Sequence, residues 1–338
     1  MVRVLIAGLV AMVIAVVIGP TFIDWLKRRS VGQQIRAEGP AGHHVKQGTP
    51  TMGGLLILFA TLAPFLVLSV YTLPGLTVMG TTLGCGLIGF ADDYLKVRRR
   101  RSLGLAGRWK MLCLLGITVG VAVAINHTPG VDTQIYVPIV DWHLNLSYAF
   151  YPFLFLIISG TVNGVNLTDG LDGLAAGTSI ISLLTFLSIA VISWIRSSPV
   201  PSHRSDSYLD LAIFGAALIG GVIGFLWFNA FPAEVFMGDT GSMALGGALA
   251  AFAILTKTEV LLVFIGGIYA IEALSVIIQV ISFKRTGKRV FLMAPIHHHF
   301  EMKAWSETKI MVRFWIVCAI LCAVGFALYY RYYLRFRL

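Results

Sequence analysis

The chain has 338 residues, of which 57% are hydrophobic and only 12% are charged. Soluble globular domains are far less apolar than this, so the composition excludes that class and indicates a polytopic membrane protein. The net charge of +10 is not accompanied by a recognisable nucleic-acid-binding motif, and we therefore expect no nucleic acid among the partners.

Runs of about 20 apolar residues, the length that crosses a bilayer, mark the membrane-spanning helices. Ten such runs predict an all-α protein with ten transmembrane helices in a single membrane-embedded domain, 1–338. The predicted spans are 3–24, 52–70, 76–94, 110–126, 147–164, 174–195, 209–228, 242–256, 259–283 and 311–331.

The positive charges predict how these helices are oriented. Nineteen of the 26 Lys and Arg residues lie in or beside three loops, Lys27 to Lys46, Lys96 to Lys110 and Lys284 to Arg313. The positive-inside rule places these loops in the cytoplasm and, with an even number of spans, places both termini outside. Most of the net charge is then a topological signal, with some attraction to the anionic head groups of the bilayer.

The loop before the second span ends in a segment rich in glycine and proline, where Thr49 or Thr51 could cap the next helix. Lys46 differs from its neighbours because a lone lysine beside glycine and helix N-terminal amides is a plausible phosphate contact.

Two adjacent acids, Asp92 and Asp93, end the third span just before a block of arginines. An ionised Asp inside hydrocarbon costs about 2.5–3.5 kcal/mol, so such acids usually pair, bind a cation or handle a substrate. Adjacent residues on a helix are about 100° apart, which predicts different partners for the two carboxylates. For Asp92, an ordinary ion pair with Lys96 one turn later is the simpler alternative.

The loop between the fourth and fifth spans has β-prone residues around Pro138, from Gln134 to His143. This pattern predicts a small external β-hairpin.

The loop after the fifth span carries Asn166, Asp169 and Asp172 among flexible glycines. Thr168 or Asp169 could simply cap the sixth helix. Because a cap needs only one polar residue, the additional Asn and Asp residues of this loop favour binding of a polar ligand.

The loop after the seventh span contains Asp239 and has no Lys or Arg. Asp239 could be a helix N-cap, with Ser242 three residues later. As an acid without a neighbouring cation, it would instead form a carboxylate cluster with Asp92 and Asp93 that requires a divalent cation. Hard oxygen ligands favour Mg²⁺ or Mn²⁺ over zinc.

Two further groups lie near the end of the chain. Glu272 and Gln279 share one face of the ninth span, where interhelical hydrogen bonds would explain both. His297, His298 and His299 point in different directions, so all three cannot bind one metal. Imidazoles over a diphosphate, or one imidazole acting as acid or base, suit a loop rich in Lys and Arg.

Together, five of these internal segments closely resemble the motifs of the phospho-N-acetylmuramoyl-pentapeptide-transferase family, within the polyprenyl-phosphate N-acetylhexosamine-1-phosphate transferase superfamily. The segments are 48–54, 90–96, 166–173, 236–242 and 295–301. The acidic motifs are typical of the whole superfamily, whereas the Thr-Pro-Thr-Met-Gly-Gly and triple-histidine segments favour the muramoyl-pentapeptide branch.

The resemblance implies a Mg²⁺-dependent phospho-sugar transferase of peptidoglycan synthesis. Its members move phospho-MurNAc-pentapeptide from UDP-MurNAc-pentapeptide to undecaprenyl phosphate, which gives lipid I and UMP. It also implies a homodimer in the bacterial inner membrane with an active site facing the cytoplasm. Direct attack by the lipid phosphate and a covalent phosphoryl-aspartate both remain open, and we favour direct attack because a phosphate is already a competent nucleophile.

By motif position, the resemblance makes Asp92 the base or nucleophile and Asp239 the metal ligand, with Asp93 and His298 as further catalytic residues. The residues implied to bind substrate are Lys46, Lys96, Asn166, Asp169, Gly170, Asp172, Asn229, Phe236, Gln279, His297 and His299. Phe236 would stack on the uracil ring.

Two alternative functions remain open. A sister transferase that uses UDP-GlcNAc would carry the same acidic motifs. A cation-coupled transporter would also place carboxylates in the membrane, but the polar motifs gather on one face and no inverted repeat with broken helices is evident.

Overall fold

The computed structural model describes residues 1–29, 48–99 and 104–333, which are mostly α-helical. In chain order the helices are α1 Val2–Arg28, α2 Gly54–Leu68, α3 Leu73–Arg99, α4 Gly107–Asn126, α5 Phe150–Thr168, α6 Leu174–Arg196, α7 Asp206–Asn229, α8 Gly238–Leu255, α9 Leu262–Ile265, α10 Gly267–Thr286, α11 Ile296–Glu301 and α12 Glu307–Leu328. The strands β1 Gln134–Val137 and β2 Trp142–Asn145 lie between α4 and α5.

Within these ranges, nine helical segments are long and apolar enough to cross a membrane. The apolar helix α2 is shorter, with 15 residues. These ten segments follow the ten predicted spans in order, so the prediction of an all-α, multi-pass membrane protein is confirmed. The count of ten crossings and the external position of both termini are consistent with this fold and stay predictions.

Several predicted spans differ by a few residues from the helices observed, and two of the differences have an evident cause. The eighth begins at Gly238, ahead of the predicted position 242, because a carboxylate of α3 caps its polar first turn. The ninth is divided, since α9 ends at Ile265 and α10 starts at Gly267. Glycine in a helix interior costs about 1 kcal/mol relative to alanine, and the Gly266-Gly267 pair lies at the break.

The predicted β-hairpin is confirmed. Its strands β1 and β2 are antiparallel, with Ile135 opposite Leu144 and Tyr136 opposite His143. Lys257, in the turn after α8, donates a hydrogen bond of 2.8 Å to the carbonyl oxygen of Asp132 and so ties the hairpin to the helices. The external location of the hairpin stays a prediction.

Helix α8 lies at the centre of the bundle and is buried along nearly its whole length. It packs against α2, α3, α5 and α6. Its sequence is rich in glycine and alanine, and such small side chains allow helices to approach closely in a membrane, where apolar burial alone does not drive their association.

The approach between α3 and α8 is tightest at Gly89. A Cβ atom at this position would overlap the carbonyl group of Asp239 in the first turn of α8. A hydrogen atom in place of a side chain therefore lets the end of α3 lie directly against the start of α8, where both helices carry acids.

We expect Gly89→Ala to destabilise the protein by about 1–3 kcal/mol, because the added methyl group forces these two helices apart. Gly80→Ala on the same helix is the matched control, since no atom outside the local helix lies within 4 Å of its Cβ position. The control should be neutral or more stable by about 0.5–1 kcal/mol through better helix propensity. Thermal unfolding of both variants in detergent measures this difference, and equal midpoints would contradict a tight contact.

Candidate functional site

Three carboxylates from two helices meet where α3 ends and α8 begins. Asp92 and Asp93 come from α3 and Asp239 from α8, and one ligand oxygen of each lies within 4.8 Å of the others. The carboxylates of Asp92 and Asp93 are almost completely buried, whereas the side chain of Asp239 is 15% exposed. The expected meeting of these three acids is confirmed.

Two lysines lie between the carboxylates of Asp92 and Asp239. The Lys96 Nζ atom is 2.6 Å from Asp92 Oδ2 and 3.1 Å from Asp239 Oδ2. The Lys110 Nζ atom, from the first turn of α4, is 3.0 Å from Asp92 Oδ1 and 2.8 Å from Asp239 Oδ2. The expected pair of Asp92 with Lys96 therefore exists, as part of a larger network.

The expectation that Asp239 lacks a neighbouring cation was wrong. Its own loop has no Lys or Arg, but α3 and α4 each contribute a lysine to it. The sequence indicates for Lys110 only a place in the basic loop. The signal that could have identified it is its place at the first residue of a predicted span, where an ionisable side chain is a candidate for function.

Asp93 caps helix α8 across the interface between α3 and α8. Its Oδ1 atom accepts a hydrogen bond of 3.1 Å from Asp239 N, and its Oδ2 atom accepts bonds from Thr240 N at 2.9 Å and Thr240 Oγ1 at 2.7 Å. A carboxylate at a helix N-terminus satisfies free amide groups and complements the helix dipole. Asp239 is therefore not the N-cap of α8, and that alternative was wrong.

The carboxylates of Asp92 and Asp93 share Lys96, whose Nζ atom is also 4.0 Å from Asp93 Oδ1, but their other partners differ, as the helix geometry predicted. Besides the two lysines, Asp92 Oδ1 accepts a hydrogen bond of 2.6 Å from Leu105 N, just before α4. This bond fixes the chain that leads to Lys110.

Asn166, near the end of α5, joins this network. Its Nδ2 atom donates to Asp239 Oδ1 at 3.0 Å and to Ser242 Oγ at 2.9 Å. The Asp239 carboxylate is thus held by an amide on one oxygen and by two ammonium groups on the other.

The loop between α5 and α6 lies beside the carboxylates. Burial and the negative charges of Asp239 and Asp93 raise the pKa of Asp169 well above its ordinary value. Helix α6 starts at Leu174 after Gly173, and no side chain caps it, so the suggestion that Thr168 or Asp169 is its cap was wrong.

Hydrogen bonds tie this loop to the segment between α7 and α8. Asp172 Oδ2 accepts a bond of 3.0 Å from Ala233 N. Asn229 accepts from Gly173 N at 3.1 Å and donates to the Val235 carbonyl at 2.9 Å, so both ends of its amide contact backbone. Two of the residues predicted to bind substrate therefore hold two loops together.

Phe236 lies next to the start of α2. Its amide donates to the Pro50 carbonyl at 2.8 Å, and its carbonyl accepts from Gly53 N at 2.9 Å. The ring is only partly buried, which leaves part of its surface available. No side chain caps α2, so the suggested cap by Thr49 or Thr51 was wrong, and Lys46 lies outside the described residues.

The remaining predicted residues lie in α10 and α11. Gln279 accepts hydrogen bonds from Val290 N and Phe291 N, both at 3.0 Å, and fixes the loop between these helices. His299 Nδ1 accepts from Leu292 N at 3.1 Å, and His298 pairs with Glu301. His297 is fully buried against Glu272, and its ring lies next to Gly170.

The donor chemistry of the acidic cluster suits a hard divalent cation. Carboxylate oxygens are the ligands that Mg²⁺, Mn²⁺ and Ca²⁺ prefer, and the three oxygens are close enough to converge on one ion. Asp92, Asp93 and Asp239 are therefore the residues that could hold a metal.

The fold and this site define a class of protein, the multi-pass membrane proteins with an acidic centre at the mouth of a helix bundle. Residues 75–257 match the family model "Glycosyl transferase family 4", and residues 46–58 match "Phospho-N-acetylmuramoyl-pentapeptide-transferase signature 1". The chain belongs to the phospho-N-acetylmuramoyl-pentapeptide-transferase family, which confirms the resemblance seen in the sequence.

Relatives of that name match over almost the whole chain. The protein from Desulfitobacterium hafniense is 46% identical over 95% of this chain and 96% of its own length. The protein from Geobacillus thermodenitrificans is 47% identical over the same shares. The protein from Frankia alni is 45% identical over 98% of both chains.

Proposed function

We propose that this protein transfers phospho-MurNAc-pentapeptide from UDP-MurNAc-pentapeptide to undecaprenyl phosphate, and so forms lipid I and UMP for peptidoglycan synthesis. The observation that carries the proposal is the union of three acids and two lysines at one end of the bundle, in a chain 45–47% identical to transferases of this name. A lipid phosphate is held at head-group depth, and a helix mouth offers charged groups at that depth.

The reaction brings two phosphate anions together, so its barrier falls when positive charge is placed at the reacting groups. Lys96 and Lys110 carry that charge, with Nζ atoms 2.6–3.1 Å from the carboxylates of Asp92 and Asp239. The same ammonium groups would contact the bound diphosphate while they stay next to the carboxylates of Asp92 and Asp239.

Asp239 would hold Mg²⁺, with Asp92 and Asp93 close enough to assist. A bound Mg²⁺ supplies positive charge that offsets the developing charge of the leaving UMP. Asp93 acts on this site through the backbone, because it caps the turn that carries Asp239. Asn166 orients the Asp239 carboxylate through its hydrogen bond to Oδ1.

In the favoured route, an oxygen of the lipid phosphate attacks the phosphorus atom that carries the sugar. A new P–O bond forms as the bond to UMP breaks, and the electron pair leaves on the UMP phosphate. Asp92 acts as the base that keeps the lipid phosphate ionised, and His298 contributes a polar group to the same reaction.

The uridine nucleotide would bind at the linked loops after α5 and α7. Phe236 offers a partly exposed ring for stacking on uracil. Asp169, Gly170 and Asp172 border the same region, and Asn229 keeps the two loops together. Lys46, Gln279, His297 and His299 complete the proposed polar wall.

We also infer that the chain forms one domain, 1–338, and pairs as a homodimer in the bacterial inner membrane. The distribution of Lys and Arg supports an active site that faces the cytoplasm. The soluble nucleotide would then arrive from the inside, while the lipid substrate approaches within the bilayer.

Purified protein offered UDP-MurNAc-pentapeptide and undecaprenyl phosphate should release UMP and form lipid I in the presence of Mg²⁺. UDP-GlcNAc in place of the first substrate should give no product above background. Chromatography of UMP and of the lipid product measures both reactions. Turnover with UDP-GlcNAc alone would contradict the proposed substrate, and UMP exchange without the lipid acceptor would contradict direct attack.

A further inference from the structure

A buried acid and a buried imidazole join α10 to α11. Glu272 Oε1 lies 3.0 Å from His297 Nδ1, and both side chains are 0% exposed. The two residues are 25 positions apart in the chain, and the pair fixes the start of the triple-histidine segment to a membrane helix.

Each partner has a second polar atom that is buried and unsatisfied. Glu272 Oε2 and His297 Nε2 have no hydrogen-bond partner among the described residues. Leaving a buried donor or acceptor unpaired destabilises a protein. Because apolar residues of similar volume often replace buried ion pairs without loss of stability, packing alone does not explain why these two polar groups are here.

The unsatisfied nitrogen of His297 faces the loop between α5 and α6. A Cβ atom on Gly170 would overlap His297 Nε2, so glycine is what allows the ring to lie against this loop. The neighbouring residue, Asp169, belongs to the region proposed above for the nucleotide. The edge of the His297 ring therefore lies beside the loop that is proposed to bind the nucleotide.

The carboxylate of Glu272 determines which ring nitrogen carries the proton. When Glu272 is ionised and His297 is neutral, Nδ1 holds the hydrogen and donates it to Oε1, which leaves a lone pair on Nε2. His297 is then oriented as a hydrogen-bond acceptor. A uridine nucleotide carries matching donors in its ribose hydroxyl groups and in the uracil N3–H.

We propose that Glu272 is a positioning residue, which holds His297 so that Nε2 accepts a hydrogen bond from a hydroxyl or N–H group of the uridine nucleotide. Gly170 covers Nε2 in the structure, so the proposal requires the nucleotide to displace this loop when it binds. This inference rests on the proposed function, because the donor belongs to the nucleotide substrate.

The test compares the wild type with Glu272→Leu, Glu272→Gln and Glu272→Asp in assays of UMP release at varied UDP-MurNAc-pentapeptide. Loss of one hydrogen bond should raise the KM of Glu272→Leu about tenfold, while kcat stays within about threefold. Glu272→Gln keeps an oxygen that accepts from Nδ1–H, so its KM should rise less than that of Glu272→Leu. Glu272→Asp keeps the carboxylate and should recover part of the affinity.

Ser275→Ala is the matched control on the same buried face of α10. The Ser275 hydroxyl donates to the Glu272 carbonyl at 2.7 Å, and its loss should leave KM unchanged. Calorimetric titration with UMP gives a second readout that needs no turnover, and its Kd should rise about tenfold in Glu272→Leu.

An unchanged KM and UMP affinity in Glu272→Leu would overturn the inference, as would a loss of thermal stability and kcat with KM unchanged. If the leucine variant does not fold, Glu272→Met, whose thioether is only a weak acceptor, decides by the same criteria. UMP binding by a wild type that shows no turnover would contradict the proposed function instead, so the two failures are distinguishable.

Discussion

Asp239→Asn is expected to reduce UMP release by more than about 10²-fold, the size of effect seen when a group that stabilises transition-state charge is removed. Asn keeps the shape of the side chain but loses the negative charge that faces Lys96 and Lys110. It also loses the strongest candidate ligand for Mg²⁺. Initial rates with both substrates saturating measure the effect on kcat.

Asp206→Asn is the matched control for this variant. It makes the same chemical change at an exposed acid in the first turn of α7. The site lies near the other end of this helix, at Asn229. The control should retain wild-type rates. Activity of Asp239→Asn within threefold of the wild type would contradict a role for Asp239 in the reaction, provided that both variants unfold at similar temperatures.

Lys110→Met is expected to lower kcat by about 10²-fold, because it removes one of two positive charges beside the reacting phosphates. The Lys110 ammonium lies 3.0 Å from Asp92 and 2.8 Å from Asp239, and only α4 brings it there. Methionine has a similar length without the charge. Lys110→Arg restores the charge and should recover part of the rate.

Loss of Lys110 also leaves Asp92 with one ammonium partner in a buried site, and breaking a buried pair can cost about 3–5 kcal/mol. Thermal unfolding must therefore accompany the kinetics. Lys288→Met, at an exposed lysine in the loop after α10, is the control and should change neither property. A fully active Lys110→Met protein would exclude Lys110 from the electrostatics of the reaction.

Much of this fold could be predicted because the bilayer imposes simple rules on the sequence. Each long apolar run is helical, although the ninth is divided into two helices, since backbone groups in hydrocarbon must be paired within the chain. The adjacent acids of α3 and the isolated acid of α8 were recognisable because ionisable residues are costly at that depth.

The features that could not be predicted from the sequence depend on contacts between elements that are distant in the sequence. The cap that Asp93 provides to α8 exists only because Gly89 lets the two helices touch. Lys110 lies at the edge of a basic loop in the sequence, and only the packing of α4 against α3 brings its ammonium group to Asp92 and Asp239.

Asp210, within α7, is a further acid in a membrane-spanning helix. It is completely buried and accepts hydrogen bonds from Val70 N and Thr72 N, both at 2.8 Å, at the turn between α2 and α3. The rule that an ionisable residue in a membrane span needs a partner holds for Asp210 as it does for Asp92. The rule identifies acids that need partners, but it does not separate a structural partner from a substrate.

The most direct measurement is binding of Mn²⁺, as a spectroscopic substitute for Mg²⁺, to wild type and Asp239→Asn, together with UMP release over a Mg²⁺ titration. If acids of α3 and α8 share one divalent cation that the reaction needs, the wild type binds one Mn²⁺ that Mg²⁺ displaces. Asp239→Asn then loses both this binding and UMP release. Full UMP release in excess EDTA, or Mn²⁺ binding that survives Asp239→Asn unchanged, would contradict a shared metal centre at these helices.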